Sequence, residues 1–173
     1  MQSFTHTFNI LLSIGTLVTL GLSIALFYLY FFKKSTYVQY QKTYGILFIV
    51  LFSGVATLAS LVYSLVIGFP PCDLCWYQRI FIYGVFFMSI TAWCKKATLS
   101  LIAPYLKTFI VVGFIIALYH TIVYYVGINP IPCSTEVSCT ARYVYEFGFV
   151  TIPLMSLATF IFLGAWLLPH TQE

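Results

Sequence analysis

YGILFIVLFSGVATLASLVYSLVIGF, residues 44–69, runs directly into PPCDLCWYQR, residues 70–79. The first stretch carries no charge; the second gathers two prolines, an aspartate, two cysteines and an arginine. An apolar run of that length crosses a hydrocarbon layer of ~30 Å as a helix rising about 1.5 Å per residue. Pro70 and Pro71 end it, because proline lacks the amide and clashes with the preceding turn. The chain must then restart, and Asp73 suits the opening turn of a new helix, whose positive dipole end favours an anion.

Working outward, the same reading extends to the whole chain. Of 173 residues, 61% are hydrophobic and only 7% charged, whereas a soluble domain carries roughly 25% charged residues. Apolar runs at Phe8–Phe32, Trp76–Cys94, Thr108–Gly127 and Gly148–Leu168 join Tyr44–Phe69 to give five expected spans. Pro104 and Lys107 interrupt the stretch before the fourth, which places its start at Thr108. No long strand-like alternation suggests a barrel. The expected fold class is an all-α integral membrane protein: a four-helix transmembrane bundle over 44–173, preceded by an extra N-terminal transmembrane helix and a basic loop over 1–43. The leading MQSFTHTF lacks the basic residues of a signal peptide, and the run behind it is too long for a signal core. Phe8–Phe32 is therefore read as a true span.

Lysines set the orientation. Lys33, Lys34, Lys42, Lys95, Lys96 and Lys107 all fall on one side of a five-span chain, which the positive-inside rule makes cytoplasmic. The N-terminus is then outside and the C-terminus inside. Trp76, Tyr77, Tyr124 and Tyr125 mark the outer edge; Trp93 and Trp166 mark the inner one. The net charge of +4 reflects this topology, not a nucleic-acid patch. Cys72, Cys75, Cys133 and Cys139 all face the compartment in which disulfides persist. Cys94 is left over on the cytoplasmic side as a reduced thiol.

Positions 72, 75 and 79 share one helix face. Helix N-termini and nearby cations favour thiolate, the reactive form of cysteine. Arg79 is costly in lipid without an anionic partner, polar packing or water, and a thiolate at Cys75 or a reduced organic acceptor would serve. The pattern suits a redox dithiol at the bilayer edge. Its bland counterpart is a structural disulfide beside a snorkelling arginine. A zinc site using Cys72, Cys75, Cys133 and Cys139 is disfavoured by the loose second spacing and the oxidising face, so no metal is expected. Absence of a G-x-G-x-x-G unit leaves a Rossmann-bound nucleotide unsupported. Were the acceptor lipid-soluble, aromatics such as Trp76, Tyr77 and Tyr119 could wall its flat ring, and each singly reads equally as an ordinary interface aromatic.

Together PCDLCWYQR at 71–79, YHT at 119–121, PCSTEVSCTAR at 132–142 and FGFVTIP at 147–153 resemble the DsbB/BdbC disulfide bond formation proteins. The resemblance covers about residues 44–168. It implies a thiol:quinone oxidoreductase of the bacterial cytoplasmic membrane that reoxidises a thioredoxin-fold, DsbA/BdbD-like dithiol oxidase outside the cell. The electrons would pass to ubiquinone or menaquinone. It also implies disulfides Cys72–Cys75 and Cys133–Cys139, Cys75 facing the quinone ring, Cys133 bonding the partner, and Arg79 and His120 near the quinone. Arg142 matches a family arginine and otherwise anchors the head of span five. Only five residues separate Cys133 from Cys139, as in the compact Gram-positive type. Two alternatives stand beside this reading. One is a vitamin-K-epoxide-reductase-like enzyme, in which the loop pair precedes the C-x-x-C; the other is a membrane scaffold with two structural disulfides.

Overall fold

A computed structural model describes residues 2–127, 139–141 and 143–168 of the chain. Among them five helices follow one another: α1 Gln2–Phe32, α2 Lys34–Leu61, α3 Asp73–Cys94, α4 Leu99–Val126 and α5 Ile152–Leu167. A π-helical turn, Val62–Val66, extends α2. The one β-pairing among the described residues is an isolated bridge between Glu146 and Val150. The protein is an all-α membrane protein. Segments Ser3–Phe32, Tyr37–Val66 and Leu99–Val126 are long and apolar enough to cross a bilayer. At 22 residues, α3 is also long enough to span, but Gln78 and Arg79 make it less apolar. The apolar α5, with 16 residues, is the shortest.

Three boundaries differ from the sequence reading. No long basic loop joins α1 to α2: Lys33 alone separates them, and α2 runs unbroken through the expected division at 43/44. The fourth helix starts at Leu99 rather than Thr108, with Pro104 inside it. Six residues in, proline removes a single bond near a helix end, a loss that membrane helices tolerate when side chains and neighbours satisfy the freed groups. The fifth starts at Ile152 rather than Gly148. Phe147 and Gly148 adopt φ of 53° and 77° in a turn, and Thr151 then caps the helix by accepting from the Leu154 amide at 3.4 Å.

Successive helices run up and down, so two ends can be defined. At one, the Tyr37 hydroxyl near the start of α2 donates to the carbonyls of Ala165 (2.9 Å) and Trp166 (3.1 Å) at the end of α5. Gln41 Nε2 donates to the same Trp166 carbonyl. The carbonyls of the last turn of a helix lack their usual partners; the Ala165 carbonyl also accepts from the Leu168 amide. Lys33, Lys95 and Lys96 lie at this end, in the α1–α2 and α3–α4 connections. At the other end, the Tyr63 hydroxyl donates to Asn9 Oδ1 near the start of α1 at 3.1 Å. Between them, Ile49, Val85, Leu106, Ile110, Leu163 and Leu167 form a tight core. Helices in lipid gain nothing from leaving water and associate by close packing at small residues. Gly113 shows this: a Cβ there would lie 2.3 Å from the Phe160 ring of α5.

Candidate active site

The site grows from the break after α2. Gly68, at φ 84°, turns the chain, Pro70 and Pro71 keep it extended, and Cys72 is the N-cap of α3. The Cys72 sulfur accepts from the Cys75 amide at 3.4 Å, taking the place of the usual capping oxygen. Cys72 Sγ and Cys75 Sγ lie 2.8 Å apart, and both residues are free thiols. A disulfide bond measures about 2.05 Å. The two sulfurs of the expected Cys72–Cys75 pair are thus in direct contact, the approach that a bond between them requires.

His120, on α4, completes this corner and is only 2% exposed. Its Nδ1 is 2.8 Å from Gln78 Nε2, and its Nε2 lies 3.1 Å from the Cys139 carbonyl and 3.8 Å from Cys72 Sγ. Gln78 donates to Nδ1, so the ring proton sits on Nε2 and points at both the carbonyl and the sulfur. The Cys75 thiol donating to Cys72 is the main cause that holds the Cys72 thiol down at about 5. Burial works against this lowering, and His120 adds to it. The sequence reading put the thiolate on Cys75; in this reduced pair the neighbours place it on Cys72.

Of the three expected solutions to its burial, an anionic partner, polar packing or water, Arg79 makes polar packing. Its Nη2 donates to the Ser60 carbonyl at 3.1 Å, and its guanidinium lies 5.3 Å from the centre of the Trp76 ring. Ser60 stands just before the π-helical turn, a local change of helical bonding often found at functional sites.

Cys72, Cys75, Gln78, Arg79, His120 and Cys139 all line one cavity of about 360 Å³, to which each of the five helices contributes. Trp76 and Tyr77, expected to wall an acceptor, are each 53% exposed, and Trp76 meets Arg79 without reaching the cavity. Neither they nor Tyr119 lines the cavity. The aromatic wall is instead a stack in which Tyr63 meets Phe69 at 5.9 Å and Phe69 meets Tyr143 at 4.8 Å. Cys139 is buried and disulfide-bonded. Cys133 and Arg142 lie outside the described residues. Cys94 is an exposed free thiol at the far end of α3.

The sequence reading missed Gln78. Its signal was present: a polar residue three positions after Cys75 on the cysteine-bearing face of a membrane helix. Its partner, His120, is 42 positions away. Cys72, Cys75 and His120 also offer three donor atoms within 4.8 Å of one another. Two sulfurs sharing a tetrahedral zinc at ~2.3 Å would sit about 3.8 Å apart. The observed 2.8 Å between the sulfurs is shorter than that spacing.

Residues 42–169 match the family model of the disulfide bond formation protein DsbB. The chain belongs to the DsbB family. It is 37% identical over 123 residues to the SPbeta prophage-derived disulfide bond formation protein B of Bacillus subtilis, covering 70% of this chain and 81% of that one. It is 40% identical over 111 residues to a probable disulfide formation protein C 1 of Bacillus anthracis, covering 63% and 78%. Disulfide bond formation protein C of Bacillus subtilis is 36% identical over 109 residues, covering 62% and 78%. No solved structure matches the chain significantly. The family supports a membrane disulfide oxidoreductase.

Proposed function

We propose that this DsbB-family protein reoxidises a thioredoxin-fold dithiol oxidase outside the bacterial cytoplasmic membrane and delivers the electrons to a membrane quinone. In this reading Cys72, Cys75, Cys133 and Cys139 are catalytic, Arg79 and His120 hold the quinone, and the cysteine end of the bundle faces outward. The single observation that carries it is the meeting of a free dithiol, a disulfide-bonded cysteine, a histidine and an arginine on one cavity. Small-molecule sites of about 300–1,000 Å³ are mostly apolar with a few placed polar groups, and this cavity fits that description. Arg79 supplies a donor and His120 a polar edge, while Tyr63 and Phe69 supply flat walls.

The exchange balances sulfur by sulfur. A thiolate of the partner attacks Cys133, the Cys133–Cys139 bond breaks, and Cys139 leaves as a thiolate. Cys139 attacks Cys72 of an oxidised Cys72–Cys75 pair, and Cys75 leaves with its charge near Arg79. The second thiol of the partner resolves its bond to Cys133, and the partner departs oxidised. Cys133 then displaces Cys72 from Cys139. The result is a restored loop disulfide and a reduced Cys72/Cys75 dithiol. Throughout, His120 Nε2–H steadies negative charge on Cys72. A quinone held in the cavity supplies the sink for the two electrons and two protons released when Cys72 and Cys75 close into a disulfide.

The test is oxidation of a reduced thioredoxin-fold dithiol by the purified chain in lipid, with and without quinone. Turnover should require quinone, and stoichiometric quinol should appear. Turnover without quinone, or none with it, overturns the reading. In cells, Cys75→Ser should accumulate normally while the secreted oxidase is trapped reduced; a scaffold would instead lose abundance and leave the oxidase unaffected.

A further inference from the structure

The helix α1 lies wholly outside residues 42–169 that match the family, yet Leu12, Gly15, Thr16 and Thr19 line the cavity that holds the thiols. Their spacing puts them on one helix face. The Asn9–Tyr63 hydrogen bond joins the start of α1 to the π-helical turn, and Tyr63 stacks on Phe69, next to Pro70. That contact marks the level of the dithiol. Gly15, six residues further along α1, stands about 9 Å deeper. Val55, eight residues before Tyr63 on α2, stands about 12 Å deeper. Gly15 and Val55 both line the cavity and are both exposed. The cavity thus descends from the dithiol and reaches the lipid-facing surface between α1 and α2.

The chemistry of this lower part is apolar. The hydroxyls of Thr16 and Thr19 donate to the carbonyls of Leu12 (2.8 Å) and Gly15 (2.7 Å) in their own helix. Neither proton remains for an occupant. Phe52, Val55 and Ala56 face them across the cavity from α2. A Cβ placed on Gly15 would meet no atom within 4 Å. The missing side chain is therefore not needed for helix packing, and its absence leaves the slot open.

We infer that α1 is a specificity-determining wall of the acceptor site, and that Gly15 and Val55 border a slot receiving the prenyl tail of a membrane quinone. The inference rests on the quinone reading above and adds to it the part of the acceptor that this extra helix recognises. The ring lies at the dithiol end, near Arg79 and His120; the tail passes down α1 to the lipid.

The test is equilibrium binding to the purified full chain in nanodiscs, read by quenching of intrinsic fluorescence. Two probe pairs share a ring but differ in the tail: 2,3-dimethyl-1,4-naphthoquinone with menaquinone-4, and ubiquinone-0 with ubiquinone-4. Gly15→Leu puts a side chain into the slot from a Cβ position that meets nothing within 4 Å, and Gly21→Leu is the matched control, since a Cβ at Gly21 also meets nothing within 4 Å but Gly21 does not line the cavity. Wild type should prefer the tailed member of the pair it binds. Gly15→Leu should lose about tenfold of that preference, as expected from displacing roughly two buried methylenes, and Gly21→Leu should retain it. A diazirine in the tail should crosslink to Leu12–Thr19 and to the Val55 region. An unchanged preference in Gly15→Leu, or crosslinks confined to other helices, overturns the inference while leaving the quinone reading intact. If wild type binds no probe, the quinone reading fails and the inference fails with it.

Discussion

Both ends of this bundle bury polar side chains, and they use them in opposite ways. At the lysine end, Tyr37 and Gln41 turn to the last carbonyls of α5, so each donor ties one helix to the terminus of another. At the cysteine end, Gln78 spends its amide on His120, and His120 aims its remaining proton at a thiol and a loop carbonyl. Arg79 holds a carbonyl with one nitrogen and lines the cavity. Buried polarity in a membrane helix is expensive at either end. What separates the two is where the hydrogen bonds finish: on backbone alone in one case, on backbone and a reactive sulfur in the other.

The widest expected gap between the ends is chemical. Cys72→Ser or Cys75→Ser removes one of the two sulfurs that must bond, so oxidation of a thioredoxin-fold dithiol should fall by at least about a thousandfold, the scale on which loss of a nucleophile acts. Normal abundance should accompany this loss. Residual activity within tenfold of wild type would mean that the edge pair is not on the electron path. Next in size is Arg79→Met, which keeps the stem and removes the charge. Loss of a single preorganised donor costs roughly a hundredfold or more in rate, and quinone affinity should fall with it. Arg79→Lys should recover only part, because a single ammonium cannot reproduce the planar fork that reaches both the Ser60 carbonyl and the Trp76 face.

How much of this was legible differs between the ends as well. The five apolar runs and the Pro-Pro break that starts α3 were readable, because span length and proline geometry are local properties. The start of α4 was not: proline reads as a breaker by composition, and only the position of Pro104 near the helix end makes it tolerable. The start of α5 was signalled by Thr151 and Pro153, a cap and an early proline, but the apolar residues before them masked it. Cys72, Cys75, Arg79 and His120 were legible as candidates from spacing and family motifs. The Gln78–His120 contact and the cavity wall on α1 were not, since both depend on which faces of distant helices meet. The aromatic wall was misjudged for the same reason: Trp76 and Tyr77 sit beside the motif in sequence, and neither lines the cavity.

A smaller effect should appear at the lysine end. Tyr37→Phe removes one hydroxyl and leaves the ring, which meets Trp166 edge-on at 5.9 Å. The Ala165 carbonyl then loses the Tyr37 hydroxyl, at a cost of about 1–2 kcal/mol in stability. Thermal unfolding in detergent should register the loss, while thiol exchange and quinone binding stay at wild-type levels. A fall in exchange rate without a fall in stability would show that the two ends are coupled, and the contrast drawn above would fail.

The finest distinction concerns His120. If its Nε2–H steadies the Cys72 thiolate, His120→Asn, too short to reach both Gln78 and the sulfur, should raise the pH midpoint of Cys72 alkylation by about one unit, a tenfold fall in thiolate fraction at a given pH below it. The wild-type midpoint should lie near about 5, with the modified residue assigned by peptide mapping. The sign for stability follows from the same lowering. A thiol more acidic in the folded chain than its ordinary 9.0 stabilises the fold fully only above that value, and the contribution fades as pH falls and is gone below about 5. His120→Asn should therefore narrow this pH window from its acid side. A midpoint that stays near 5 in the variant would leave the Cys75 thiol as the sole source of Cys72 acidity, and His120 as a bridge between Gln78 and the loop carbonyl of Cys139.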